Sequence, residues 1–261
     1  MSIIGFCRKL SIKENYEYTL CHSNLSFYYM LNFSGRWYSK EVIMQAMRLY
    51  FAYSLSYRDV EEIMTERGAP VDHSTIQRWV ERYAKDLETI FRKNHRKRRV
   101  YVSWRMDETY IKLKGKWVYL YRAIDKDGDT LEFMVSEKRD EAAVTKFFKK
   151  AIGEHGLPDK VTVDKSGANE AALIYLNCLL FLMGVWPHVW IDIRQIKFLN
   201  NRIEQDHRNI KRRTNPMLGF KSWDSMESTI AGYELVNMLR KGQHTNAENM
   251  AVHEQFYALA A

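Results

Sequence analysis

Three carboxylates are the residues best placed to do chemistry: Asp107 in WRMDETYIK, Asp164 in KVTVDKSG and Glu204 in NNRIEQDHRNIKRR. Hard oxygen donors of this kind hold divalent cations. Two such ions a few ångströms apart can activate an attacking oxygen and stabilise a leaving one across a phosphate. A protein using that device supplies positioning and charge instead of a covalent nucleophile. Each carboxylate also has a bland reading. Asp107 can be a surface aspartate or turn cap, Asp164 a helix cap or turn before Gly167, and Glu204 one half of a pair with Arg208. Such a pair on an exposed helix contributes only about 0.3 kcal/mol.

The elements that must position these groups can be read from the pattern around them. Asp107 and Glu108 are neighbours on a strand, where successive side chains face opposite sides, so only one of them points into a given site. A regular strand puts Asp107 on one face with Tyr101, Ser103 and Arg105, and alternation alone does not choose between the two acids. Asp164 follows the apolar run Lys160 to Val163 at its C-terminal end, where α/β sheets build their sites. Lys165 beside it can bind phosphate or balance charge. Glu204 falls on a helix starting near Asn200 or Asn201, with His207, Arg208 and Lys211 within about 60° of it and Asp206 nearly opposite.

Around the acids the pattern is that of a mixed α/β domain. Val102, Trp104 and Met106 alternate with polar neighbours, Trp117 to Ile124 is aromatic and β-branched, and Thr130 to Val135 is a third such run. Asp127-Gly128 predicts a hairpin turn between the second and third. A helix is expected over Asp140 to Ile152, a strand over Lys160 to Val163, a helix over Ala171 to Met183, and a last strand around His188 to Ile193 before the helix of Glu204. Asp125, Asp127 and Asp129 do not make a calcium loop, because Gly128 stands at the fourth position and Ser136 at the place of the terminal glutamate. There is no P-loop, HExxH or GxSxG segment. Trp104, Trp117, Trp186 and Trp190 read as core packing, with a stacking platform for a flipped base as the alternative.

Ahead of this domain the period is helical. Val42, Ile43, Ala46, Met47, Leu49 and Tyr50 recur at three- and four-residue intervals after Ser39, and Ser56 with Asp59 caps a second helix that Gly68 stops. The turn GAPVDHS feeds a third helix over Thr75 to Tyr83, capped by Asp72 or Ser74, with Ile76, Val80 and Tyr83 inward and Gln77, Arg78, Glu81 and Arg82 outward. That is a helix-turn-helix pattern or an ordinary three-helix bundle. A net charge of +8 and pI near 9.2 tip it toward DNA. The basic run His95 to Arg99 reads as a solvated linker at a domain boundary, or else as a phosphate contact. Residues 1–33 show no sustained period, and translation starting at Met30 is one reading of that.

A chain of 261 residues that is 46% hydrophobic can bury one large domain with a smaller one attached. Cys7, Cys21 and Cys178 support neither a disulfide framework nor a zinc site. No run approaches the roughly 18 apolar residues of a spanning helix, so a cytoplasmic protein without membrane association is expected.

The segments SYRDVEEIMTERGAPVDHSTIQRWVERYA, SWRMDETYIKLKGKWVYLYRAIDKDGDTLEF and NNRIEQDHRNIKRRTNPMLGFKS resemble the bacterial insertion-sequence DDE transposases of family six, from about Gly35 to Gly242. The resemblance, not the alternation, selects Asp107. It implies a metal-binding catalytic triad of Asp107, Asp164 and Glu204, with Lys211 as a basic residue further along the same face. It implies an α/β, RNase H-like catalytic domain over 100–242 with a C-terminal helix. Ahead of it stand an all-α helix-turn-helix DNA-binding domain and basic linker over 35–99, with an unassigned extension over 1–34 and a tail over 243–261. The implied chemistry is Mg²⁺-dependent cleavage, with Mn²⁺ able to substitute. The exposed 3′-hydroxyl then attacks target DNA, giving a cointegrate in the family's replicative route. The partners implied are double-stranded DNA at terminal inverted repeats and at the target, and at least a second copy of the chain. Ser74, Gln77, Arg78, Arg82, Lys165, Arg208, Lys211 and Arg212 are the candidate DNA contacts. A catalytically silent inverted-repeat binder and a divalent-metal nuclease without strand transfer are the alternatives.

Overall fold

A computed structural model describes residues 31–33, 37–97, 102–184 and 190–260. Most of the N-terminal extension, Arg98, Arg99, Tyr101, Trp186 and the expected start of the last strand lie outside them. The helical region opens with α1 (Lys40–Ala52), whose Ile43, Ala46, Met47, Tyr50 and Phe51 are buried. Ser56 then starts α2 (Tyr57–Glu66) through a reciprocal capping box: Asp59 N–H donates to Ser56 Oγ at 3.2 Å, and Ser56 N–H to Asp59 Oδ2 at 2.7 Å. Asp72, not Ser74, caps α3 (His73–Ile90) by accepting the Ser74 N–H at 2.8 Å.

α3 extends well beyond Tyr83 because its apolar stripe continues through Ala84, Leu87 and Ile90, and it ends in a single π turn, Phe91–His95. The extra length has a partner that local pattern could not show, the helix Trp223–Arg240 near the other end of the chain. Helices α1 to α3, that C-terminal helix and the hairpin end of the sheet share one hydrophobic core. Contact there is close enough that a Cβ on Gly232 would meet the Phe51 ring at 2.2 Å.

The sheet is built from β1 (Ser103–Leu113), β2 (Lys116–Asp125) and β3 (Thr130–Ser136), paired antiparallel. Helix α4 (Glu141–His155) returns the chain to β4 (Lys160–Thr162), parallel to β1. Helix α5 (Gly167–Leu182) leads to β5 (Asp192–Arg194), parallel to β4, and then α6 (Lys197–Thr214), α7 (Trp223–Arg240) and α8 (Val252–Ala258) follow. The strand order β3-β2-β1-β4-β5, with its mixed senses, is the RNase H-like arrangement expected. At the β2–β3 turn, Asp125 Oδ1 accepts the N–H groups of Asp127 and Asp129, each at 2.8 Å, and Gly128 takes a positive φ of 91°.

The side chains of Trp104 and Met106 on β1 face α4 and α5, where they, Tyr121 and Ala123 pack with Val144, Phe147, Phe148, Leu173 and Leu176. The opposite face of β1 packs against α6. Two expectations change. Arg96, read as part of a solvated linker, is buried and donates to the Leu131 carbonyl at 3.3 Å and to that of Thr130. Within the stretch read as a tail, α8 buries Phe256 against Phe51, with their ring centroids 6.3 Å apart. Among the described residues no helix is long and apolar enough to cross a membrane.

Candidate active site

Parallel pairing places two of the three acids. Ser103 lies opposite Lys160 and Arg105 opposite Thr162, and the same offset carried two residues further sets Asp107 level with Asp164. Neighbouring strands are about 4.8 Å apart, so this register alone brings both backbones to one spot. Glu204 arrives from α6, which packs on β1. Asp107 feels the charge of Glu108, Asp164 and Glu204, so the three candidate acids and Glu108 form one electrostatic cluster. Burial first, then Glu108, then the other two acids push the Asp107 carboxyl up to about 7.

The acids are held differently. Asp107 faces α6, with its Oδ2 3.7 Å from Nε2 of the buried His207. That separation is too long for a hydrogen bond, and burial, Arg122 and Lys211 push the imidazole down to about 3, so the ring is neutral. Asp164 is half-buried and engaged: Oδ1 accepts from Asn169 Nδ2 at 2.6 Å and from Ser166 N–H at 3.1 Å, and Oδ2 from Arg139 Nη2 at 3.3 Å. Arg139 Nε also donates to Glu108 Oε1, and Asn169 Nδ2 lies 3.4 Å from Glu108 Oε2. Glu108, on the other face of β1 from Asp107, is thus the anchor to which Arg139 and Asn169 tie Asp164. Glu204 is exposed.

The carboxylate oxygens of Asp107, Asp164 and Glu204 do not all fall within 4.8 Å of one another; among the described residues only Glu61, Asp72 and His73 do. In that surface group a helix cap and the His73 Nδ1 to Glu61 Oε2 contact at 2.8 Å account for the proximity. The three acids instead form a more open array, linked by the charge that each of Asp164 and Glu204 exerts on Asp107.

Of the candidate DNA contacts, Lys165, Arg208, Lys211 and Arg212 are exposed on the segments that carry Asp164 and Glu204. His207, expected on the Glu204 face with Arg208 and Lys211, turns inward instead. Gln77, Arg78 and Arg82 are exposed along α3, while Ser74 is half-buried, its hydroxyl donating to Asp72 and accepting from Arg78 Nη2 at 3.0 Å. Asp206 points away from Glu204, as the helical wheel predicts, into a buried network: Arg122 Nη2 reaches Asp206 Oδ2 at 2.5 Å and Lys241 Nζ reaches Oδ1 at 2.7 Å.

Arg139 and Asn169 were not singled out from sequence. A signal for Arg139 existed, since β3 is parallel to β4 and the loop SEKRD leaves the sheet at the same end as Asp164. Asn169 sits one turn into a helix whose apolar pattern gave no reason to look there.

The family described as "DDE domain" matches residues 101–243, and that described as "Transposase IS66 family" matches residues 35–164. The transposase for insertion sequence-like element IS431mec of Staphylococcus aureus (strain Mu50) is 41% identical over 209 residues, covering 80% of this chain and 88% of that protein. The transposase for insertion sequence element IS257 in transposon Tn4003 of Staphylococcus aureus matches at the same identity and coverage. Among solved structures, the catalytic core domain of BIV integrase is 17% identical over 51% of this chain and 82% of its own, with a TM-score of 0.37.

Proposed function

The chain belongs to the DDE transposases of insertion sequences, enzymes that act on DNA with a divalent metal, and we propose that Asp107, Asp164 and Glu204 are its metal-binding catalytic triad. The observation that carries this reading is the register that sets Asp107 beside Asp164 while α6 brings Glu204 to the same charge cluster. The donor set fits a hard dication: all three groups are carboxylates, and burial, then Glu108, Asp164 and Glu204, push Asp107 up to about 7. Magnesium is the ion proposed, with manganese able to substitute.

Bound there, Mg²⁺ would lower the pKa of a coordinated water or 3′-hydroxyl and neutralise charge on the scissile phosphate. The protein's own residues do the positioning. Arg139 and Asn169 hold Asp164 against Glu108, the neutral ring of His207 backs Asp107 on the α6 side, and Lys165, Arg208, Lys211 and Arg212 supply the positive surface for the DNA backbone. Helices α2 and α3 are proposed as the reader of the terminal inverted repeats, through Gln77, Arg78 and Arg82, with Ser74 at the helix start. This divides the work between residues 35–99 and 100–242. The protein is proposed to act in the cytoplasm as at least a dimer, pairing two element ends and joining their 3′-hydroxyls to target DNA.

The test is a strand-transfer assay with Mg²⁺ or Mn²⁺ on DNA bearing the inverted repeats that flank this gene. Joined products that disappear in Asp164→Ala are expected. Nicked but unjoined DNA would mean a nuclease, and end binding with no product a silent DNA-binding protein.

A further inference from the structure

The four tryptophans read as packing do not share one fate. Trp104 is fully buried, whereas Trp117 is 61% exposed at the tip of the β1–β2 hairpin. Cross-strand pairing explains what surrounds it. Tyr110 lies opposite Tyr119 and Lys112 opposite Trp117, so these four share a face with Glu108 and its partner Tyr121. Helices α4 and α5 cover that face as far as Glu108 and Tyr121, with Tyr119 packed at the margin. Beyond them Tyr110 is 49% exposed and Tyr119 half-buried. The rings brace each other: Tyr110 and Tyr119 centroids are 5.4 Å apart, and Trp117 meets Tyr110 edge-on at 6.2 Å. Lys112 shares that face, Lys114 is exposed at the turn, and Lys116, opposite Leu113, is exposed on the reverse face.

The hairpin tip is held in place. Lys114 at φ 49° and Gly115 at φ 80° make the tight turn. On the free edge of β1, Phe220 N–H donates to the Lys112 carbonyl and Lys114 N–H to the Phe220 carbonyl, both at 2.8 Å. Gly219 passes so near that an added Cβ would lie 2.9 Å from the Lys112 carbonyl oxygen. Residues 219–220 follow α6, so a strap ties the hairpin to the helix of Glu204. Tyr119 packs at the margin of the core, but the more exposed Tyr110 and Trp117, with Lys112 on their face and Lys114 at the turn, combine the two features that bind unpaired nucleotides: faces for stacking and charge for phosphate.

We propose that Tyr110, Trp117 and Tyr119, with Lys112 and Lys114, form a platform that stacks an unpaired base of the DNA strand held at the carboxylates. The inference rests on the triad reading above and adds the form of substrate it takes, a frayed end in place of fully paired duplex. The platform lies on the Glu108 face of β1, opposite the face of Asp107, and meets the triad through Arg139, which spans Glu108 and Asp164; along the strand Tyr110 stands about 7 Å and the Lys112–Trp117 pair about 13 Å from Glu108. That range corresponds to roughly two to four base steps of a stacked strand at about 3.4 Å each. With the phosphate held beside Asp164, the unpaired base would then lie two to four nucleotides from the cleavage point.

The test uses the full chain carrying Asp164→Ala, so that binding is read without turnover, and compares blunt element ends with ends bearing a four-nucleotide unpaired stretch. Trp117→Ala is expected to weaken binding to the unpaired end by about 5- to 150-fold, to leave the blunt end within about twofold, and to be rescued by Trp117→Phe. 5-Iodouracil placed two to four nucleotides from the cleavage point should crosslink to Tyr110, Trp117 or Tyr119. Equal losses on both ends, no loss, or crosslinks mapping elsewhere would overturn the platform. Those results can coexist with strand transfer by the unsubstituted enzyme, in which case the triad reading survives. A chain that neither binds nor joins element ends sinks both.

Discussion

Glu204 and Asp206 stand two residues apart on α6 and meet opposite electrostatic surroundings. Asp206 turns into a buried network in which Arg122, with no exposed surface, pairs with it and with Glu234, and Lys241 closes the set. Glu204 turns out to solvent beside Asp107, Asp164 and Glu108, where four acids are matched, among the ion pairs of the described residues, by the guanidinium of Arg139. In the network nearly every charge is answered by another protein charge. At the carboxylates the protein leaves charge unanswered. The contrast separates scaffold from proposed site: a paired interior needs nothing further, while an acidic cluster short of cations is what the proposed metal site requires.

The largest effect expected is an exchange of phenotypes between the two regions. Arg122→Leu strands Glu234 without its partner and leaves Asp206 to Lys241 alone, and should lower unfolding free energy by about 3–5 kcal/mol. Adding Glu234→Gln should recover most of that loss. Asp107→Asn removes one of four clustered carboxylates, so in metal-free buffer its melting temperature should equal or exceed that of the parent, while joined product falls below detection. Urea unfolding and strand-transfer assays on both variants check this. A stable Arg122→Leu or a destabilised Asp107→Asn would break the distinction between the regions.

Much of this division was legible in the sequence. The alternation along β1, the Asp127-Gly128 turn and the run ending at Asp164 gave the sheet, and the helical wheel set Asp206 opposite Glu204. Alternation could not choose between Asp107 and Glu108, because both prove to be engaged, one toward α6 and one toward Arg139. What stayed hidden depends on contacts distant in sequence. The length of α3 is fixed by α7, the burial of Arg96 by the carbonyls of Thr130 and Leu131, and the exposure of Trp117 by where α4 and α5 stop. Helix α5 is apolar on its exposed side too, with Ile174, Tyr175 and Leu182 solvent-facing, so periodicity marks its start poorly and it begins at Gly167, not Ala171.

A smaller effect sharpens the comparison at its boundary. Arg139 is the cation that reaches both Glu108 and Asp164, so Arg139→Ala should loosen Asp164, which keeps Asn169 and Ser166, at some cost in stability from the buried Glu108 left without that partner. Groups that orient metal ligands typically contribute 10- to 100-fold in affinity or rate. A loss of about that size in Mn²⁺ affinity, read calorimetrically, is expected, with partial rescue by Arg139→Lys. Unchanged affinity would make Arg139 a neutral counterion with no part in placing Asp164.

The last effect tests the paired region from within, through a group that titrates. His155 ends α4, its Nε2 2.9 Å from the Leu131 carbonyl and its ring edge-on to Trp104. Burial first, then Arg96, with Arg92 adding to it and Glu132 opposing, pushes the imidazole down to about 4. This is the mirror image of Asp107, which burial and neighbouring anions push up to about 7. The unfolded imidazole, near 6.5, takes a proton between pH 6.5 and 4 that the folded one refuses, so the unfolded state binds more protons there and stability falls as pH drops. Between pH 7 and 5 the loss from this group should be about 2 kcal/mol. His155→Gln keeps a donor for Leu131 and cannot titrate, so the difference in urea unfolding free energy between parent and variant should shrink by that amount from pH 7 to pH 5. A difference that stays constant with pH would mean that the cations around His155 are answered well enough to admit one more charge, and the paired region would then be less tightly balanced than its geometry implies.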